Sequence, residues 1–147
     1  MDDDGWETAI AMLRLASQLI DGIQQGVARR GFDDVRPAHG FAFVRISAGD
    51  ATTANVAVHL GITKQAAAQL VDHLVTRKYV ERRPDPRDAR AWLLTLTDRG
   101  RACAAAAESA AAETVDLWKD RLSPSTFSHL QTALTALAEP GRLRPTW

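Results

Sequence analysis

Apolar positions recur at helical spacing along most of this chain, and the pattern shifts to that of strands in a single stretch near the middle. From Trp6 to about Arg30, Ile10, Leu13, Ile20 and Val27 share one helical face, with Met12, Leu15, Leu19 and Ile23 on the neighbouring one. Both faces need cover, and in so short a chain the natural cover is a second copy. Gly31, Asp33 and Asp34 end this helix. Arg36-Pro37 then opens a short one to about Ile46, with Phe41, Phe43, Val44 and Ile46 as packing residues, and a loop over 47–50 follows.

The chain is organised around residues 52–96. Val56 and Leu60 lie on one helical face with Ala57 beside them, Gly61 breaks the helix, and Ile62 fills the corner. Thr63 caps a second helix whose Ala67, Leu70, Val71 and Leu74 face the first. Two runs suited to strands, Tyr79–Arg83 and Ala91–Leu96, flank Pro84-Asp85-Pro86-Arg87-Asp88-Ala89-Arg90, which predicts a projecting turn that does not pair continuously. Helix, tight turn, helix and hairpin make a unit shaped for DNA. Thr63, Lys64, Gln65, Ala68, Gln69, Asp72 and His73 then face outward, the first five at the end that reads base edges in helix-turn-helix proteins. Gln65 and Gln69 suit adenine, Lys64 a guanine or phosphate, the Ala68 methyl a thymine, and His73 a phosphate. Arg82, Arg83, Arg87 and Arg90 give the hairpin a cationic tip suited to a minor groove, with Asp85 and Asp88 placed to orient them. The competing reading is a solvated polar face and a surface salt-bridge lattice with no ligand.

After the hairpin, Thr97 caps a long helix through the alanine tract to Leu117 and Trp118. Ser123-Pro124 opens a last helix carrying Phe127, Leu130, Leu134 and Leu137, which Glu139-Pro140-Gly141 stops. The tail Arg142–Trp147 either frays or tucks its tryptophan against a partner. The fold class expected is mainly α (α+β): a single domain over 1–147, with helical dimerisation segments at 6–35 and 97–147 and a winged helix-turn-helix over 36–96. The terminal helices should interleave with those of a second copy, so the DNA half-sites should be inverted repeats.

Composition adjusts this picture little. Net charge is zero, but Lys and Arg outnumber Asp and Glu by 9 to 5 over 51–101, whereas 1–50 carries 5 against 8. The acidic start, MDDDGWE, and the lack of a long apolar run point to the cytoplasm. No phosphate-cradling glycine loop, HExxH or paired CxxC occurs, and the four histidines, His39, His59, His73 and His129, are scattered; neither an enzyme nor a cofactor is expected. Cys103, near the start of the long helix, is either a small packing residue or an oxidation sensor.

One motif is more specific. Asp85-Pro86-Arg87-Asp88-Ala89-Arg90, followed by Leu94-Thr95-Leu96-Thr97-Asp98-Arg99-Gly100, fits D-x-R-D-x-R and then hydrophobic-x-L-T-x-x-G, and by it the chain resembles MarR-family winged helix-turn-helix transcriptional regulators. The resemblance is close in the middle of the chain and rests on helix pattern and length in the flanks. It implies a homodimeric repressor in which Arg87 or Arg90 enters the minor groove, Asp88 braces the wing, and Lys64 to Gln69 lie in the major groove. It also implies relief by a small aromatic or amphipathic ligand, for which Trp6, His39, Phe43 and Trp118 are candidate lining residues or, alternatively, plain core residues. Two further readings remain beside it: a winged-helix interaction module without DNA binding, and a redox-responsive regulator acting through Cys103.

Overall fold

The computed structural model describes residues 3–139; the segment 140–147, and with it the expected Pro140-Gly141 stop and the tail Arg142–Trp147, lies outside the described residues. Six helices and one hairpin follow in the order α1 (Asp3–Arg29), α2 (Pro37–Ser47), α3 (Thr53–Leu60), α4 (Lys64–Thr76), β1 (Val80–Asp85), β2 (Asp88–Leu96), α5 (Asp98–Lys119) and α6 (Pro124–Leu137). These fall into two compact units, one of residues 3–33 with Ala107–Glu139, the other Asp34–Ala106. The architecture is mainly α, as the hydropathy pattern predicts.

In the helical unit, α1 and the second half of α5 pack through small residues. A Cβ on Gly22 would stand 2.2 Å from the Thr114 hydroxyl, and one on Gly26 would stand 2.4 Å from the Ala110 methyl. The contact is close because those side chains are missing. Arg30 closes it, donating to the Gly26 carbonyl at 2.9 Å and pairing with Glu113. Much apolar surface stays bare: Leu13 is 60% exposed, Leu117 65% and Leu137 73%, and α6 buries none of its residues.

The second unit, the head, is built around α3 and α4. Thr52 and Asn55 form a reciprocal cap at the start of α3, each backbone N–H donating to the other's side chain, at 2.9 and 3.2 Å. Gly61 ends α3 at φ +66°, where the Ile62 N–H reaches the Ala57 carbonyl at 3.0 Å. Thr63 then caps α4, its hydroxyl accepting from the Ala66 N–H at 3.1 Å. Val56, Ala57 and Leu60 of α3 and Ala67, Val71 and Leu74 of α4 are buried, with Leu70 half-buried. The inner face is the one the spacing predicts.

The hairpin pairs further toward its tip than the turn-forming composition suggests. The ladder runs from Val80 opposite Leu96 through Pro84 opposite Trp92 and, past a register shift, to Asp85 opposite Asp88, leaving only Pro86 and Arg87 as the turn. Proline is tolerated there because the hairpin has two strands and both are edges. The base is stapled by Thr97, whose hydroxyl donates to the Lys78 carbonyl at 2.5 Å and accepts the Gly100 N–H at 3.1 Å. A third anchor is the Leu94 N–H, which donates to the Ala51 carbonyl at 2.8 Å.

Candidate nucleic-acid interface

The outer face of α4 begins where Thr63 caps it. Thr63, Lys64, Gln65 and Gln69 are exposed and Ala68 is half-exposed, so the N-terminal half of the helix presents two amides, an ammonium and a methyl to solvent. Further along, the face changes character. Asp72 is exposed but pairs with Arg82 of β1. His73 does not face outward as expected: its ring stacks on His39 of α2, with centroids 4.9 Å apart and planes 12° from parallel, and its Nε2 is buried. Position 73 falls between the polar stripe and the inner face, and the residue is half-buried there against the His39 ring.

The four wing arginines are not equivalent. Arg82 is taken by Asp72, and Arg83 by Glu81 two residues earlier on the same strand. Arg87, at the turn, donates through Nε to Asp85 at 3.3 Å and through Nη2 to Asp50 at 3.1 Å. The Arg87 N–H also reaches Asp85 Oδ1 at 2.9 Å; that bond is the main reason the Asp85 carboxyl ionises more readily than usual, and the carboxylates in turn hold the Arg87 guanidinium more firmly charged. Asp88 accepts the Arg90 N–H at 2.9 Å, which fixes the backbone at the tip and leaves the Arg90 side chain exposed with no carboxylate partner among the described residues. Asp50 is not among the residues that the sequence pattern singles out. Its signal is faint: it sits in the loop before α3 at φ +48°, a conformation Asp tolerates better than most.

A second group missed by pattern reading lies beneath the wing. Tyr79 is fully buried and donates its hydroxyl proton to Asp34 Oδ1 at 2.5 Å, while Arg99 donates to the same hydroxyl at 2.9 Å and lies 4.4 Å over the ring. The tyrosine bond is the largest reason that the Asp34 carboxyl is lowered, with Arg77 and Arg99 adding to it, and burial pushes the Tyr79 hydroxyl up. The motif glycine has its explanation here, since a Cβ on Gly100 would stand 2.1 Å from the Tyr79 carbonyl oxygen. Leucine-threonine-x-x-glycine is thus the staple of the hairpin base followed by the gap that lets α5 begin against Tyr79.

Of the candidate ligand-lining residues, His39 and Phe43 are buried within the head, Phe43 tilted against Tyr79 at 5.9 Å. In the helical unit Trp6 is 68% exposed, and Trp118 is half-buried along a groove of about 820 Å³ that Arg29 and Leu117 also line. Cys103 is buried, and burial pushes its thiol up to about 11, which removes the thiolate that position near a helix start suggests. A packing role is what its surroundings fit. Among the described residues no three His, Cys, Asp or Glu side chains converge as metal ligands, and no helix is long and apolar enough to cross a membrane.

The MarR family model matches residues 36–91, from the start of α2 into the wing. Over that segment the chain is similar to the MarR family. Solved structures extend the likeness of fold beyond the matched segment. Rv1404 from Mycobacterium tuberculosis is 23% identical, with a TM-score of 0.78 and coverage of 92% of each chain. Apo MarR from Escherichia coli is 18% identical, with a TM-score of 0.73 over 89% of this chain and 96% of the other. A point mutant of MepR from Staphylococcus aureus, solved bound to an oligodeoxyribonucleotide, is 20% identical, with a TM-score of 0.66 over 90% and 94%. No curated protein matches the sequence. The fold is therefore that of the MarR transcriptional regulators.

Proposed function

We propose that this MarR-type protein is a homodimeric, sequence-specific DNA-binding regulator of the cytoplasm, acting as a repressor by occluding promoters. The observation that carries the reading is the exposed row Lys64, Gln65 and Gln69 at the capped start of α4, beside a wing tip on which Arg90 has no carboxylate partner among the described residues. α4 enters the major groove, where the two glutamines read adenines and Lys64 a guanine or phosphate. Arg90 enters the minor groove, whereas Arg87, already engaged by Asp85 and Asp50, holds the tip in shape. MepR bound to an oligodeoxyribonucleotide shares the fold and supports the assignment. The bare apolar faces of α1 and α6 are covered by a second copy, which sets two heads on inverted half-sites about one helical turn, roughly 34 Å, apart. A small aromatic or amphipathic effector shifts that spacing, and a tenfold change in affinity asks of it only about 1.4 kcal/mol of preference between two dimer shapes.

The pairing of Arg82, Arg83 and Arg87 with carboxylates favours a second reading, a winged-helix interaction module that does not bind DNA. Selection of binding sites from a random duplex pool, followed by footprinting, separates the two. The expected product is an inverted repeat whose binding weakens by about 10³–10⁵ between 50 and 200 mM salt. Failure to enrich any sequence would leave the interaction module standing.

A further inference from the structure

The two stacked histidines join α2 to the recognition helix, and their hydrogen bonding limits where protons can go. His39 is the third residue of α2 and 9% exposed; its Nδ1 accepts the Arg36 N–H at 2.9 Å, closing the cap of that helix. That bond fixes the tautomer, with the lone pair on Nδ1 and the proton on Nε2. A second proton has only Nδ1 to occupy, where it would oppose the N–H now donated to it. Charging His39 therefore uncaps α2. His73 lies against the His39 ring with its Nε2 buried and without a hydrogen-bond partner among the described residues. Two imidazolium rings at 4.9 Å would also repel, so the stack requires that they not be charged together.

The surrounding charges do not rescue a proton. Arg36, at the start of α2, opposes it, as His73 does from α4. Asp34 favours it, but that carboxylate already accepts from the Tyr79 hydroxyl at 2.5 Å, with Arg77 of the α4–β1 turn at 3.7 Å and Arg99 of α5 at 4.0 Å. Burial, then His73 and Arg36, push the His39 imidazole down to about 4.

The geometry points to a proton-operated release of the recognition helix: adding a proton to the His39–His73 stack parts α4 from α2 and lowers affinity for DNA. This rests on α4 being the reading helix. The closed His39 imidazole sits at about 4 and an opened one near its ordinary value, about 6.5, so between these values falling pH favours the opened form by up to tenfold per unit for one proton. The test measures affinity for the selected duplex from pH 7.5 to 4.5 at constant ionic strength, by fluorescence anisotropy, for the full chain and two variants. His39→Gln keeps an acceptor for the Arg36 N–H but cannot take up the proton, whereas His73→Phe keeps the stacked ring and leaves His39 able to charge. Both should bind as tightly as wild type at pH 7.5; at pH 5 His39→Gln should lose at least threefold less affinity than wild type, and His73→Phe should lose at least as much. Equal loss in all three proteins, or no loss in wild type, would overturn the inference. Imidazole and backbone nitrogen–proton NMR spectra of the free wild-type chain decide it without DNA. The α4 amides should shift with the same midpoint as the His39 ring, and titration of that ring with α4 unmoved would refute the release. A chain that shows this coupling but enriches no duplex would refute the DNA-binding reading instead.

Discussion

Removing one oxygen from the floor of the head tests how the wing is held. Tyr79→Phe keeps the buried ring and its contact with Phe43 but deletes a hydroxyl that donates to Asp34 and accepts from Arg99. A hydrogen bond to an ionised group contributes about 1.5–3 kcal/mol. Here the loss should fall near the lower end, about 1.5–2 kcal/mol, because the Asp34 side chain is 19% exposed and water can partly replace the donor. Arg77 and Arg99, at 3.7 and 4.0 Å from that carboxylate, remain to hold it charged. Urea unfolding followed by far-ultraviolet circular dichroism at pH 7 reads the difference directly, provided the slope of free energy against urea is unchanged. Acid supplies a control with a definite sign. Asp34 has a depressed pKa, so its contribution is present above the ordinary carboxylate value and is lost as pH falls through the lower, folded one. The penalty for Tyr79→Phe should therefore shrink at the acid end. In the cycle with Asp34→Asn, coupling of at least about 1 kcal/mol is expected. A single-variant cost under about 0.5 kcal/mol, or strict additivity with Asp34→Asn, would show that the bond is not what ties the Asp34 loop to the wing.

Glycine substitutions should diverge by position: Gly100→Ala drives a methyl into the Tyr79 carbonyl and should destabilise by about 1–3 kcal/mol, whereas Gly5→Ala, with open space in α1, should be neutral or stabilising by up to about 1 kcal/mol, both read by the same unfolding assay. Cys103 should react with a disulfide reagent at pH 8 only as fast as the head opens, so labelling at the rate of a free thiol would disprove its burial. On a selected duplex, Gln65→Ala and Gln69→Ala should each erase preference at particular base pairs, by roughly 1–3 kcal/mol, whereas Arg90→Ala should weaken all sequences and flatten the salt dependence. Identical losses on every sequence would refute that division of labour.

Local chemistry makes much of the head legible in advance. Gly61, Thr63 and the inner face of α4 each announce themselves through one residue's backbone preference or a 3.6-residue period, and neither depends on distant parts of the chain. The wing is visible for the same reason, although its strands extend closer to the tip than Pro84 and Pro86 suggest, because an isolated hairpin tolerates a residue that a wider sheet would reject. What stays hidden depends on contacts across the fold. Nothing near Tyr79 in sequence points to Asp34, which lies 45 positions away. Asp50 meets Arg87 only because Ala51 bridges Leu94 and brings that loop against the hairpin. His73 departs from its expected direction because periodicity aims a side chain but cannot foresee a second imidazole waiting on α2.

The hairpin is tethered at three heights: Thr97 at its root, the Ala51–Leu94 bridge midway, and Asp50 holding Arg87 at its end. An arm held so has little freedom left to surrender on meeting a rigid target, and encounter should need no slow rearrangement of its own. Slack introduced at any one tether, by Asp50→Asn for instance, should then appear first as slower capture of the duplex, with the folded state almost undisturbed.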